Sequence, residues 1–256
     1  MKTFFVRPLL VVGTLAMALN AFANQGTFIF NGNLNAQQGG VNAMTATNPQ
    51  SQNFYSTAFL YGATRTTYNT VGMAGSGNNA GLSLNASTLV ATNNYTLEMV
   101  VSLSVGGAYK KLADVSGRTL DSGYYIDPSN HLNAYPVASG TTVVNPGTYN
   151  YLALSVASTG DVKGYVNGNL EFTSNTTVMN GNVFDFFLDD SATSFNEYSN
   201  VSVGMIRLTD SVLSDASIAS LAGNPYAGTV PEPTGLSVLA IGLFGTFVRR
   251  RSLKVK

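Results

Sequence analysis

Between residues 95 and 105 the chain alternates strictly. Tyr95, Leu97, Met99, Val101, Leu103 and Val105 fall on one side, and Thr96, Glu98, Val100, Ser102 and Ser104 on the other. A period of two over that length is the signature of a β-strand with two distinct faces. Residues 149–157 repeat the habit, with Leu152, Leu154 and Val156 on one side. Residues 161–166 and 169–172 flank Asn167-Gly168, a pair that accepts the positive φ angles of a two-residue hairpin turn. Shorter runs predict strands over 27–30, 81–85, 109–115, 123–127, 183–188 and 201–208, with Gly, Asn, Ser and Thr filling the gaps. One helix is predicted. Ser214 is its N-cap, Leu213 packs on Ile218 as a hydrophobic staple, Leu221 continues the apolar face, and Gly223 and Pro225 end it. Many short strands and one late helix predict an all-β fold, a two-sheet antiparallel sandwich or jelly roll. Residues 31–80, rich in Gly, Asn, Gln and Thr and poor in aliphatics, are expected to form long loops with a few short strands.

The two ends follow a different pattern. Lys2 and Arg7 precede an apolar run over 9–19, and Ala21-Phe22-Ala23 supplies small residues at a cleavage position. This is the layout of a signal peptide cut after Ala23, with the mature chain beginning near Asn24. At the other end, Val230-Pro231-Glu232-Pro233 is followed by an uncharged, mostly apolar stretch over 234–248 and then by Arg249-Arg250-Arg251. A helix of that length reaches roughly 22 Å, short of the roughly 30 Å hydrocarbon core, so the span is marginal. The arginines favour the cytoplasmic side. Pro231, Glu232 and Pro233, the apolar stretch and the arginines, in that order, resemble the PEP-CTERM sorting signal. The resemblance implies an exosortase-type processing enzyme as partner and a transient hold at the inner membrane. Cleavage near Pro231-Glu232-Pro233 and a place at the cell surface or outside it would follow. The expected organisation is a signal peptide over 1–23, one domain over 24–229 and the sorting signal over 230–256.

Charge changes once the ends are set aside. Seven of the 13 Lys and Arg residues (Lys2, Arg7, Arg249, Arg250, Arg251, Lys254 and Lys256) lie in them, as does Glu232 of the 13 acidic residues. The body keeps six basic residues against twelve acidic ones, and lacks the basic footprint that nucleic acid requires. With no cysteine, thiol chemistry and cysteine–zinc sites are excluded, and the fold is held by its core alone.

Several stretches of the body resemble the LamG-like, concanavalin A-like jelly rolls. Pro146-Gly147-Thr148-Tyr149-Asn150-Tyr151-Leu152-Ala153-Leu154 and Gly164-Tyr165-Val166-Asn167-Gly168 are similar to that family's paired strands, which typically end in Tyr-Val-Asn-Gly. Val203-Gly204-Met205-Ile206-Arg207-Leu208, followed by Leu213-Ser214-Asp215-Ala216-Ser217-Ile218, resembles its last strand and closing helix. Phe28-Ile29-Phe30-Asn31-Gly32-Asn33-Leu34 is similar to its opening strand. The resemblance implies two curved antiparallel sheets. The chain departs from the family in having no Trp, and the aspartate that often binds calcium after the opening strand is replaced near Ala36-Gln37.

Candidate chemistry concentrates in Asp185-Phe186-Phe187-Leu188-Asp189-Asp190 and Asn196-Glu197. On a continuous strand Asp185 and Asp189 share a face and Asp190 sits at its end. With Asn196 and Glu197 returning from a short loop, these hard oxygens form a set that calcium would take. The alternative is that they bond their own backbone as turn caps. Glu98, Glu171, Glu197 and Glu232 lack the spacing of a glucanase strand, and His131, expected in a loop, offers no nucleophile–base pair on its own. Tyr61, Tyr68, Tyr109, Tyr124, Tyr125, Tyr135 and Tyr198 are candidates for an aromatic sugar platform, or else are strand and core residues. The main expectation is a non-enzymatic surface or matrix protein associated with exopolysaccharide. The alternatives are a carbohydrate-binding, lectin-like protein, calcium-dependent or not, and a glycan-active enzyme of the same fold.

Overall fold

The computed structural model describes residues 24–47, 53–72 and 80–227. The cleavage residues Ala21 and Ala23, the motif Pro231, Glu232 and Pro233, and the stop Arg249, Arg250 and Arg251 lie outside the described residues. In chain order the strands are β1 (Gln25–Phe28), β2 (Thr45–Thr47), β3 (Asn53–Leu60), β4 (Ala63–Thr70), β5 (Gly81–Asn85), β6 (Tyr95–Leu103), β7 (Lys110–Asp114) and β8 (Gly123–Ile126). They continue with β9 (His131–Tyr135), β10 (Ala138–Val143), β11 (Asn150–Val156), β12 (Asp161–Val166), β13 (Asn169–Asn175), β14 (Val183–Phe186) and β15 (Val201–Thr209). The helix α1 (Asp215–Gly223) closes the domain.

The chain is an all-β, antiparallel two-sheet sandwich. One sheet has eight strands, ordered β13-β12-β11-β6-β15-β4-β3 with β1 added on β15; the other has seven, ordered β10-β9-β8-β7-β14-β5-β2. The alternation in β6 is realised on both faces. Tyr95, Leu97, Met99, Val101 and Leu103 enter the core between the sheets, while Val100 joins a second apolar cluster with Leu60, Tyr151, Ala153, Tyr165, Met205, Ile218 and Tyr226. The polar positions of that second face are buried as well, because α1 and the segment around it cover them. Thr96 Oγ1 donates to the Ser211 carbonyl (2.8 Å) and accepts from Leu213 N (2.9 Å). Glu98 takes both arms of Arg207, Nε at 2.7 Å and Nη2 at 2.5 Å, and the Tyr151 hydroxyl at 2.5 Å. Arg207 Nη1 reaches on to the Pro225 carbonyl at 3.1 Å. Buried charge is tolerated here because every oxygen and guanidinium arm is paired.

The helix starts as its sequence predicts: Ser214 Oγ accepts from Ser217 N at 3.1 Å, and Ile218 is buried beside Leu213. The Asn167-Gly168 turn closes β12 on β13 with φ of 51° and 86°. A Cβ on Gly168 would come within 3.0 Å of Ala219 Cα, so glycine serves both the turn and the approach of the helix. Three expectations are corrected. The stretch 31–80 contains β3 and β4, two eight-residue strands closed by a tight turn at Tyr61 (φ 50°) and Gly62 (φ 80°). His131 opens β9 rather than sitting in a loop. The first strand ends at Phe28, because Phe30 takes φ 54° and turns into the core against Tyr68.

Candidate functional site

The seven-stranded sheet presents one register row across four strands: Lys111 on β7 opposite Tyr125 on β8, Tyr125 opposite Asn133 on β9, and Asn133 opposite Ser139 on β10. Side chains directly opposite in an antiparallel pair share a face. Their neighbours Leu112, Tyr124, Leu132 and Ala134 point into the inter-sheet core, so the row lies on the sheet's outer side. Around it three tyrosine rings meet edge to face. Tyr109 and Tyr135 are 5.3 Å apart, Tyr125 and Tyr135 5.8 Å, and Tyr109 and Tyr125 6.0 Å. Tyr125 is fully buried and is the floor; Tyr109 and Tyr135 are half-buried and form the rim. Asn133 is 8% exposed, and its Oδ1 has no partner among the described residues.

Beside Tyr125 in the row, Lys111 Nζ is fully buried between Asp190 Oδ2 (2.5 Å) and Asp114 Oδ2 (3.1 Å), and lies over the Tyr125 ring, 4.9 Å from its centroid. The Tyr125 hydroxyl donates to the same Asp190 oxygen at 3.3 Å. Burial, with Asp190 adding to it, pushes the Tyr125 phenol well up, so it stays a neutral donor.

The predicted ligand set is only partly brought together: Asp189, Asp190 and Glu197 are neighbours, while Asp185 and Asn196 stand apart. The strand ends at Phe186 and Phe187 turns off it with φ 65°, so Asp185 and Asp189 do not share a strand face. Asp185 is held by the Ser83 hydroxyl on β5. Asp190 Oδ1 accepts from Ala192 N (2.8 Å) and Thr193 N (3.1 Å), and Asp189 Oδ2 from Thr193 Oγ1 (2.7 Å) and Glu197 N (2.8 Å). Asn196 is exposed and donates to the Thr193 carbonyl at 3.3 Å. These are turn caps that fold residues 187–199 back over β7, where Lys111 N donates to the Glu197 carbonyl at 2.8 Å and Ser199 Oγ to the Lys111 carbonyl at 2.6 Å. Among the described residues no group of three or more His, Asp or Glu side chains has metal-holding geometry. The Glu197 carboxyl, half-buried and facing Asp189, Asp121 and Asp190, is pushed up to about 7. Asp121 is raised as well, by burial first and by Asp190 next.

The structure sorts the candidate tyrosines. Tyr68 and Tyr124 are core residues, the latter spanning the sandwich to the Ala153 carbonyl at 3.0 Å. Tyr198 lies under Lys110 Nζ at 5.4 Å, beside the row. Tyr61 is on the other sheet, against Tyr226. Tyr109, Tyr125 and Tyr135 come together. Lys111 and Asn133 escaped the sequence reading. For Asn133 the signal was its place between the core residues Leu132 and Ala134; a bulge between Lys111 and Ala113 breaks the alternation in β7 and hides Lys111.

No protein-family model matches the chain. No curated protein matches it either. Solved structures of similar fold do. Domain 4 of AbnA, a GH43 extracellular arabinanase from Geobacillus stearothermophilus solved with arabinotriose, superposes with a TM-score of 0.59 at 17% identity, over 78% of this chain and 99% of that domain. Botulinum neurotoxin type C, whose cell entry depends on two ganglioside molecules, gives 0.54 at 12% identity over 78% of this chain and 50% of that one. Trypanosoma rangeli sialidase in complex with 2,3-difluorosialic acid gives 0.51 at 16% identity, covering 74% of this chain and 31% of the sialidase. The chain thus spans half of the toxin chain and less than a third of the sialidase. At these identities the likeness is one of fold.

Proposed function

We propose that this is an exported, non-enzymatic carbohydrate-binding protein of the cell surface or extracellular matrix, with its sugar site on the outer face of the seven-stranded sheet. One observation carries the reading: Tyr109, Tyr125 and Tyr135 form an aromatic platform beside Asn133, whose buried amide oxygen lacks a partner among the described residues. A sugar ring offers an apolar C–H face to aromatic rings and hydroxyl donors to the amide oxygen. A buried acceptor without a partner costs roughly 1–3 kcal/mol, which a bound hydroxyl recovers. Six carboxylates (Asp114, Asp121, Asp127, Asp189, Asp190 and Glu197) outnumber three cations (Lys110, Lys111 and Arg118) around the platform, which favours neutral over acidic glycans. The arabinotriose-bound domain and the ganglioside-dependent toxin use the same sandwich and support the class of ligand. A glycan array tests it: saturable binding to neutral oligosaccharides, lost in Tyr135→Ala, is the expected result, and a blank array overturns it.

Export, the inner-membrane hold and an exosortase-type partner rest on the terminal segments of the sequence. The intact mass of the protein recovered from its host tests both cuts. Loss of residues 1–23 and of the segment beyond the Pro231-Glu232-Pro233 motif is expected; a mass that retains 236–256 in an exosortase-positive host contradicts the sorting reading.

A second reading has one observation in its favour. Glu197, raised to about 7 with Asp121 nearby, has the protonation of a general acid at neutral pH. Hydrolysis of the bound glycan, abolished by Glu197→Gln, would select an enzyme over a binding protein.

A further inference from the structure

We infer that the tip of the β3–β4 hairpin is a bilayer-contacting element that seats the domain on a lipid surface while its C-terminal tail is held there. The inference rests on the membrane reading of the apolar segment 234–248. Arg207 Nη1 holds the Pro225 carbonyl, and the next residue, Tyr226, is 5% exposed. The Arg65 guanidinium lies 3.6 Å over the Tyr226 ring, and the Tyr61 ring is 5.9 Å away. Gly204 lacks a side chain where a Cβ would meet the Tyr226 hydroxyl at 2.5 Å, so β15 is shaped to receive it. The exit point of the chain is therefore fixed against the hairpin tip.

From Ala227, seven residues reach Thr234, the first of the apolar stretch. Fully extended they span at most about 25 Å. With that stretch in a membrane, the hairpin tip is tethered close to the headgroups. The tip is built for that place. Phe59 is 74% exposed, the most exposed large apolar residue among those described, and Tyr61 beyond it is 37% exposed. Aromatic side chains favour the membrane–water interface. The hairpin also departs from the acidic character of the body: residues 53–70 carry no carboxylate, and their one charge is Arg65.

The chain has no tryptophan, so one introduced indole reports alone. Full-length Phe59→Trp and, as a control on the other sheet's loop, Leu120→Trp (60% exposed in the parent) are reconstituted into phosphatidylcholine–phosphatidylglycerol vesicles and floated on a density gradient. Emission is then compared between plain vesicles and vesicles carrying brominated acyl chains. The proposal expects both variants to float and F59W to lose roughly half its emission to the brominated lipid, as an interfacial aromatic would, with L120W unchanged. Flotation with F59W unquenched, or both indoles quenched alike, overturns the hairpin's role and leaves the tail reading standing. Failure of the full chain to float overturns both.

Discussion

Glu98→Gln is the substitution whose cost is best defined by the structure. Glu98 is fully buried at the centre of β6, and Arg207, 2% exposed, grips it with two arms at 2.7 and 2.5 Å. Burial alone would lower the Arg207 pKa, but the hydrogen bonds and charge of Glu98 raise it, so the guanidinium remains charged in the interior. Removing the carboxylate leaves that charge unpaired, a loss of about 3–5 kcal/mol for a buried pair. At about 2–4 °C per kcal/mol for a domain of this size, the melting temperature should fall by roughly 6–20 °C. Thermal and urea unfolding followed by circular dichroism measure it, with Glu98→Met combined with Arg207→Met as the partner experiment. The double variant, which leaves no unpaired charge, should be more stable than Glu98→Gln. A loss below about 1 kcal/mol in Glu98→Gln would refute the reasoning and class the pair with exposed salt bridges.

Three further outcomes follow from particular side chains. The Glu197 pKa is raised from 4.5 to about 7, so the folded state holds a proton that the unfolded chain releases, and stability falls as pH rises between those values. At 1.36 kcal/mol per unit, discounted for a half-exposed group, Glu197→Gln should exceed the parent by about 1–2 kcal/mol at pH 7.5 and match it at pH 4.5; equal stability at both pH values counts against the assignment. Because Asp189 and Asp190 are engaged as turn caps and Asp185 is held by Ser83, melting temperatures in chelator and in millimolar calcium should coincide, whereas calcium at a hundred times a real Kd would add about 2.7 kcal/mol. Ser214→Ala removes the cap on Ser217 N and should cost about 1 kcal/mol by urea unfolding; a value near zero would mean that packing of Ile218 alone sets the helix start.

The central strands and the helix were legible because burial imposes a period. β6 and β11 alternate, Asn167-Gly168 marks its own turn, and Ser214 with Leu213 and Ile218 marks the start of the helix. The hairpin β3–β4 was not legible because it forms the edge of its sheet, where little burial enforces alternation; Phe54, Tyr55, Phe59 and a run of threonines carry strand propensity without a pattern. The acidic segment misled for a related reason. Its reading as one strand assumed that Phe187 continued the extended chain, and a single left-handed residue sent Asp189 and Asp190 into caps instead. The site itself is a cross-strand row, and the pairing of Lys111 with Tyr125 and of Tyr125 with Asn133 is a fact of register that no local window contains.

The most direct measurement is calorimetric titration of a neutral oligosaccharide, chosen from the glycan array, into the parent protein, Tyr135→Ala and Tyr55→Ala, an exposed tyrosine of the other sheet. The account predicts that Tyr135→Ala weakens binding about tenfold or more, the loss of one aromatic anchor, while Tyr55→Ala binds as the parent does. Equal affinity of the parent and Tyr135→Ala would contradict it.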